Sequence, residues 1–212
     1  MRAKRFGCSP IRNIEAPRQP VQTMNADRFQ IVEGAIPGAF DRVVAMHAGY
    51  YAREHGMGEI FERKVAEGLC EFLPRAQRPR NRLWLATTVE WSDQAGQTRQ
   101  ARQIVGSIAI DGEDLGGGQA HLRWFILDDG CRGQGVGAAL LRKAVEFVEA
   151  AGFECTVLWT FKGLDAARHL YELEGFRLAE EYAGAQWGVS LMEQRFVRER
   201  GAVAAAAGLG TG

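Results

Sequence analysis

The 212-residue sequence predicts an α/β domain on a mixed central sheet, with elements in the order β-α-α-β-β-β-α-β-α-β-β. Three observations predict it. Apolar residues recur at helical spacing in two early stretches and again after residue 135. Between them lie three strand-like runs separated by polar loops, the pattern of an antiparallel meander. The last of these runs passes through a glycine-rich junction into a helix and then another strand, as in a parallel crossover.

Each element has its own signal. Residues 29–32 read as a short strand. Phe40, Val43, Val44, His47, Tyr50 and Tyr51 then form one helical stripe, ending near Gly56, and Phe61, Val65, Leu69 and Phe72 form a second, closed by Pro74. Strands are expected at 83–90, 104–111 and 120–127, joined by polar loops at 93–102 (of hairpin type) and 112–119. In the helix expected over 135–151, Val136, Leu140, Ala144, Phe147 and Val148 share one face, and Arg142, Lys143, Glu146 and Glu149 share the other. Gly152 stops it. A strand follows at 155–160, then a helix from Asp165 to Glu174 with Gly175 as its stop, then strands at about 177–182 and 187–196.

Residues 1–26 carry Arg2, Lys4, Arg5, Arg12 and Arg18 against Glu15 alone and show no periodicity. They read as a flexible tail, and Met24 is a second candidate start. Residues 199–212 are an Ala/Gly-rich tail, expected to be disordered. One domain remains, 27–198. The chain's 26 basic and 26 acidic residues leave no net charge, which argues against nucleic acid as the main partner. No apolar run is long enough to span a bilayer or serve as a secretory signal, so a cytoplasmic protein with no membrane partner is expected. Cys8, Cys70, Cys131 and Cys155 form no CxxC pair and read as reduced, apolar side chains, with Cys131 notable for its place beside the glycines. His47, His121 and His169 lack metal-ligand spacing; no metal is expected and no role falls to them.

The sharpest feature is Leu127-Asp128-Asp129-Gly130-Cys131-Arg132-Gly133-Gln134-Gly135-Val136-Gly137. Glycines at alternate positions let backbone N–H groups approach an anion, and a helix starting there aims its positive end at the same spot. A pyrophosphate suits such a turn, with Arg132 adding a charge. A Rossmann dinucleotide site is disfavoured, because the glycine spacing differs and the next strand ends in Trp159-Thr160 rather than an acid. A P-loop lacks its Gly-Lys-Ser/Thr. A tight strand-to-helix turn with no ligand stays open on these residues alone.

Arg132-x-x-Gly135-x-Gly137 matches the Arg/Gln-x-x-Gly-x-Gly/Ala signature of the GNAT (GCN-five-related) N-acetyltransferases. The run Ala166-Ala167-Arg168-His169-Leu170-Tyr171-Glu172-Leu173-Glu174-Gly175-Phe176 resembles their Ala-x-x-x-Tyr-x-x-x-Gly-Phe element. The likeness is closest to GNAT modules fused behind MarR-type winged helices, which carry segments similar to His47…Tyr51…Glu54-x-Gly56, Phe61-Glu62-x-x-Val65-Ala66, Leu122-Arg123-Trp124, Leu158-Trp159-Thr160 and Trp187-Gly188. The residues before 27 are too few for a winged helix, and none is expected there. Many GNAT enzymes carry Asn where Leu164 stands here, so a hydrogen bond near the pantetheine is either missing or supplied by Thr160 or the backbone.

The resemblance implies a GNAT-like mixed central sheet and acetyl-CoA as cosubstrate. Arg132, Gly133, Gln134, Gly135, Val136 and Gly137 would hold its pyrophosphate, and a backbone N–H near Ile126 or Leu127 would polarise the thioester carbonyl. The pantetheine arm would enter between strand 120–127 and the strand after it. Tyr171 would be the acid that protonates the leaving thiolate, although its place between Ala167 and Leu170 also suits a core residue. The base is less defined: Glu54 at the end of the first helical stripe leads, with His55, Glu59, Glu62 and Asp128 behind it and a solvated carboxylate as the plain alternative. Tyr51, Phe61, Arg123 and Trp159 would line the acceptor pocket; a structural salt bridge accounts for Arg123 nearly as well. The acceptor implied is the primary amine of a small molecule. Acetylation of a protein lysine or N-terminus, and a non-catalytic acyl-CoA sensor, remain open, and pairing of final strands in relatives makes a homodimer one allowed assembly.

Overall fold

The computed structural model describes residues 28–88, 90–94 and 97–202. The proposed tail over 1–26, the alternative start at Met24 and the last ten residues lie outside them. The order is β1 (Phe29–Glu33), α1 (Ala39–His55), α2 (Glu59–Phe72), β2 (Asn81–Thr88), β3 (Glu90–Gln94), β4 (Gln97–Ala101), β5 (Ile104–Asp111), β6 (Gln119–Leu127), α3 (Val136–Ala150), β7 (Cys155–Phe161), α4 (Asp165–Leu173), β8 (Arg177–Gly184) and β9 (Leu191–Glu199).

Seven strands form one sheet in the order β1-β2-β5-β6-β7-β9-β8. All pairs are antiparallel except β6–β7. The expected mixed sheet and the order of its elements are therefore present, with two corrections. The polar segment read as a loop over 93–102 is a separate two-stranded hairpin, β3–β4, which gave no apolar alternation to read. The last strand starts later and ends later than 187–196, because Trp187 and Gly188 belong to the turn before it. The fold also continues past residue 198: Gly201 N–H donates to Glu149, and Arg198 reaches the carbonyl of Ala202.

Each face of the sheet carries two helices. Leu140, Leu141, Ala144 and Val148 of α3 bury one face together with Trp84, Ile108, Ile110, Leu158 and Phe196. Val43, Val65, Leu69 and Phe72 of α1 and α2 bury the other with Leu83, Leu85, Ala109 and Phe161. Burying such side chains contributes about 1.5–3 kcal/mol each, so the two layers clamp the sheet between them. β5, in the centre, is buried along its whole length.

Two irregularities in β6 shape the space beside that strand. First, β6 pairs with β7 only over Gln119–His121 against Cys155–Val157; beyond that point the parallel strands diverge. Second, the register against β5 slips between Ser107 and Ala109, and Trp124 takes a positive φ of 48°. This is a β-bulge, and it flips the phase of the strand. Ala120 and Leu122 face α3, whereas Trp124 and Ile126 face α1 and α2. Helix α2 lies against the bulge through Gly68, where an added Cβ would stand 2.7 Å from the Arg123 guanidinium and 3.2 Å from the Trp124 ring.

Candidate active site

The glycine-rich turn joins β6 to α3. Gly133 and Gly135 have positive φ, 71° and 77°, a conformation that glycine adopts without strain. Gly137 serves differently: a Cβ there would stand 3.1 Å from Leu127 and 3.2 Å from Leu170, so this glycine lets α3 pack on β6. Among the described residues, the N–H groups of Gly133 through Ala138 meet no backbone or side-chain acceptor. A helix start leaves its first few N–H groups free; here the turn before it extends the row. That is the property an anion such as a pyrophosphate requires.

Two carboxylates flank the turn and would repel a phosphate, but α1 neutralises both. Arg42 pairs with Asp128, and Arg53 reaches Asp129 at 2.5 Å. Arg132 lies 4.1 Å above the Tyr50 ring and 3.2 Å from Asp129, and Arg28 holds Gln134 at 3.2 Å. Two carboxylates thus face four guanidiniums. The sequence reading missed the arginines of α1, because only the fold brings the start of the chain's first helix and its last turn to this loop. Cys131 is buried in the α3 core, which pushes its thiol up from the ordinary range.

Below the turn, the divergence of β6 and β7 opens a cavity of about 290 Å³. Its wall is drawn from α1 and α2 (His47, Tyr51, Phe61, Lys64), β6 (His121 to Phe125), β7 (Leu158 to Phe161), α4 (Tyr171) and the β8–β9 region (Tyr182, Gln186, Trp187). Of the residues expected there, Tyr51, Phe61, Arg123, Trp159, Thr160 and Tyr171 all line it. Tyr51 packs against Phe61 (4.7 Å between centroids) and Phe161 (5.7 Å), and Phe61 against Trp187 (5.7 Å). Tyr171 is only 6% exposed and sits between Phe125, Phe176 and Phe196, yet its hydroxyl makes no hydrogen bond among the described residues. Burial, and then the neighbouring Tyr51, push its phenol well above the usual range, so it is a proton donor and not a phenolate. Burial does the same to Tyr51.

Three expectations change. Glu54 is not among the residues lining the cavity; it sits at the exposed end of α1 with its carboxylate on Arg53 at 2.6 Å. The helical stripe that pointed to it carries Tyr51 into the cavity and leaves the next turn outside. Arg123 lines the cavity but is already paired, 3.4 Å from Asp111 and 3.5 Å from Asp114, with its guanidinium 4.1 Å over Trp124.

For the backbone donor, the geometry adds Phe125 to the expected pair. Asp128 N–H donates to the Val105 carbonyl at 2.8 Å, so in the alternating ladder Ile126 is the next hydrogen-bonded position, against Ser107. The Ile126 amide is therefore used. The Leu127 amide between them turns to the opposite edge. At the bulge, the Trp124 carbonyl is held by Ser107 Oγ at 2.6 Å; across that trans peptide the Phe125 N–H points the other way, towards the opening between β6 and β7. Phe125 lines the cavity and Leu127 does not.

His47 and His121, to which the sequence assigned nothing, both line the cavity. His47 is buried with Nδ1 on the Val43 carbonyl at 2.8 Å, and desolvation pushes it down to about 4. His121 hydrogen-bonds Asp114 through Nδ1 and meets the Trp159 ring edge-on at 4.8 Å. No group of His, Cys, Asp and Glu among the described residues is arranged to hold a metal ion.

Residues 59–176, more than half the chain, match the model of the acetyltransferase (GNAT) family. An N-acetyltransferase from Staphylococcus aureus Mu50 superposes with a TM-score of 0.61 at 14% identity, covering 81% of this chain and 98% of its own. The ribosomal-protein-alanine N-acetyltransferase of Brucella melitensis gives 0.59 at 15%, covering 80% and 99%. A protein provisionally assigned as a phosphinothricin N-acetyltransferase gives 0.57 at 18%, covering 81% and 98%. At these identities the superpositions speak for the fold alone. No curated protein matches the sequence. With the family's pyrophosphate signature standing on the free amides of the β6–α3 turn, the chain belongs to the GNAT family of acetyltransferases.

Proposed function

We propose that this enzyme transfers an acetyl group from acetyl-CoA to the primary amine of a small molecule by direct attack. The observation that carries the reading is the succession along β6: the strand that walls a cavity of about 290 Å³, lined also by Tyr171, runs on into the turn whose row of backbone amides is free. That volume sits at the small end of the range for ligand pockets, and side chains from both ends of the chain wall it. Acetyl-CoA supplies an activated thioester. The chain's own part is to hold and orient it and to manage protons.

Arg132 and the amides of Gly133 to Gly137 grip the diphosphate, and Thr160 on β7 supports the arm that enters the opening. The Phe125 amide points where a carbonyl oxygen becomes negative, and one such donor is worth about 3–4 kcal/mol in the transition state. Tyr171, kept protonated by its apolar surroundings, gives its proton to the departing sulfur. Tyr51, Phe61, Trp159 and Trp187 clasp the acceptor, which favours a compact amine with an apolar body. Among the described residues no helix is long and apolar enough to cross a membrane, and reduced Cys70, Cys131 and Cys155 accord with a cytoplasmic setting.

A second reading, acetylation of a protein N-terminus, draws on the Brucella ribosomal-protein-alanine enzyme with which this chain shares a fold. One assay separates the readings: thiol release from acetyl-CoA with tyramine, L-tyrosine, spermidine and an N-terminal-alanine hexapeptide. Turnover with a small amine and none with the hexapeptide is expected. Preference for the hexapeptide would replace the small-molecule reading. Heat on binding acetyl-CoA with no thiol release from any amine would leave a sensor.

A further inference from the structure

One polar cluster lies at the closed end of the cavity, where β6 and β7 are still paired. His121 stands at the last paired position of β6, opposite Val157, and the β5–β6 loop folds back to bring Asp114 against its Nδ1. The histidine side chain is 16% exposed and lines the cavity, while Asp114 is 34% exposed and opens to solvent. Behind the pair, Asp111 is fully buried and held by both Arg75 guanidinium nitrogens at 2.5 and 2.7 Å; Arg123 bridges Asp111 and Asp114. The ring is fixed from the side by Trp159. Thus one imidazole nitrogen is committed to a carboxylate, and the other makes no hydrogen bond among the described residues, on a ring that lines the cavity.

We infer that His121 is the general base of the reaction, its Nε2 taking a proton from the acceptor's ammonium group, with Asp114 as the residue that fixes its tautomer. The inference rests on the acetyl-transfer reading. An amine at neutral pH is mostly R–NH3+, which has no lone pair to attack with. His121 Nε2 accepts one proton, giving the imidazolium, and releases it again from Nε2 to solvent in the open cavity, so that the ring returns to the Nδ1–H tautomer held by Asp114. The free amine then forms the C–N bond to the thioester carbonyl carbon. As the C–S bond breaks, the sulfur takes a proton from the Tyr171 hydroxyl, and the second proton of the attacking nitrogen restores that hydroxyl. The sum is one acetamide, one thiol and one released proton.

The other candidate bases are weaker. Glu54 is outside the cavity. His47 reaches it, but its partner is the neutral Val43 carbonyl and not a carboxylate, and burial holds it down to about 4. His121 is also lowered by burial, but its hydrogen bond to Asp114 and the charges of Asp114 and Asp111 oppose that effect, while Arg123 adds to it. The other titratable groups facing the same space are Tyr51, Tyr171, Tyr182 and Lys64.

Nuclear magnetic resonance on the full chain with 15N-labelled histidine tests the proton arrangement without an acceptor. At pH 7 the His121 ring, identified by its loss in His121→Gln, is expected as the Nδ1–H tautomer with a bare Nε2. Asp114→Asn should redistribute the tautomers and move the titration to lower pH. An Nε2–H ring, or an imidazolium at pH 7, would overturn the inference. In the kinetic arm, with whichever of the four probe amines turns over, His121→Gln should lower kcat/KM about 10²-fold at pH 7 and leave the heat of acetyl-CoA binding unchanged. The deficit should shrink as pH rises and free amine accumulates, which a merely structural role would not produce; a deficit constant with pH would refute the base. If wild-type protein gives no heat with acetyl-CoA, the acetyl-transfer reading fails first, whatever the tautomer shows.

Discussion

The two ends of the site are built from different materials. At the mouth, the β6–α3 turn offers main chain: glycines, free N–H groups and a helix start, with arginines from α1 cancelling Asp128 and Asp129. At the closed end, the cavity offers side chains from α1, α2, β6, β7, α4 and the β8–β9 region. A main-chain site suits what every cosubstrate molecule shares, the diphosphate in our proposal, and would tolerate change in most surrounding side chains. A side-chain site recognises one acceptor and changes with each substitution. The two should therefore fail in different ways.

The largest failure is expected at the mouth. Gly135→Glu places a long, anionic chain at a left-handed position facing the phosphates, and acetyl-CoA affinity by calorimetry should fall by more than about 10³-fold, to below detection. Retained affinity would mean that the diphosphate does not sit on this turn.

Next in size is an acid-induced loss that originates at the closed end. The folded state holds His47 neutral down to about 4, whereas the unfolded chain takes up the proton near 6.5. Stability from this group is complete above pH 6.5 and drains away as pH falls towards 4, by about 3 kcal/mol in all. Urea denaturation of wild type and His47→Gln across that window checks it: the variant should lose the part of the slope due to this ring, while a difference at pH 7 alone would point to packing.

Tyr171→Phe keeps the ring between Phe125, Phe176 and Phe196 and removes only the hydroxyl, so kcat should drop about 30- to 100-fold with acetyl-CoA affinity intact. An unchanged kcat across the pH profile would return Tyr171 to the core. The smallest effect is expected of Trp187→Ala, which opens the acceptor wall against Phe61: KM for the amine should rise about tenfold while kcat and the heat of cosubstrate binding hold.

The same contrast explains what the sequence disclosed. The glycine-rich turn over Arg132 to Gly137 was legible because such a turn is local: its free N–H groups, its glycines and its helix follow one another along the chain. The sheet was legible for the same reason, element by element, except for the β3–β4 hairpin, whose polar strands carry no apolar alternation. The closed end was only partly legible. Tyr51, Phe61, Trp159 and Tyr171 could be placed through a family likeness, but spacing alone could not separate them from ordinary core. His121 and Asp114 are joined by a loop whose path no periodicity encodes. Glu54 misled because a helical stripe tells which face is buried and not where the cavity ends. Nor could the direction of the Phe125 amide be read, since alternation along β6 looks unbroken until the bulge reverses its faces at Trp124.

Gly68 joins two walls of the closed end. A glycine inside α2 forgoes about 1 kcal/mol of helix stability relative to alanine, and what it obtains is proximity: the helix lies directly on the Arg123 and Trp124 side chains. The wall that carries Phe61 and Lys64 is thereby seated on the kinked strand that carries the Phe125 amide, with no slack between them. A methyl group added at Gly68 would press on both side chains and move the α2 wall and the kink together, the two parts to which our proposal gives acceptor grip and carbonyl polarisation, so slower chemistry and looser substrate would arrive as one effect.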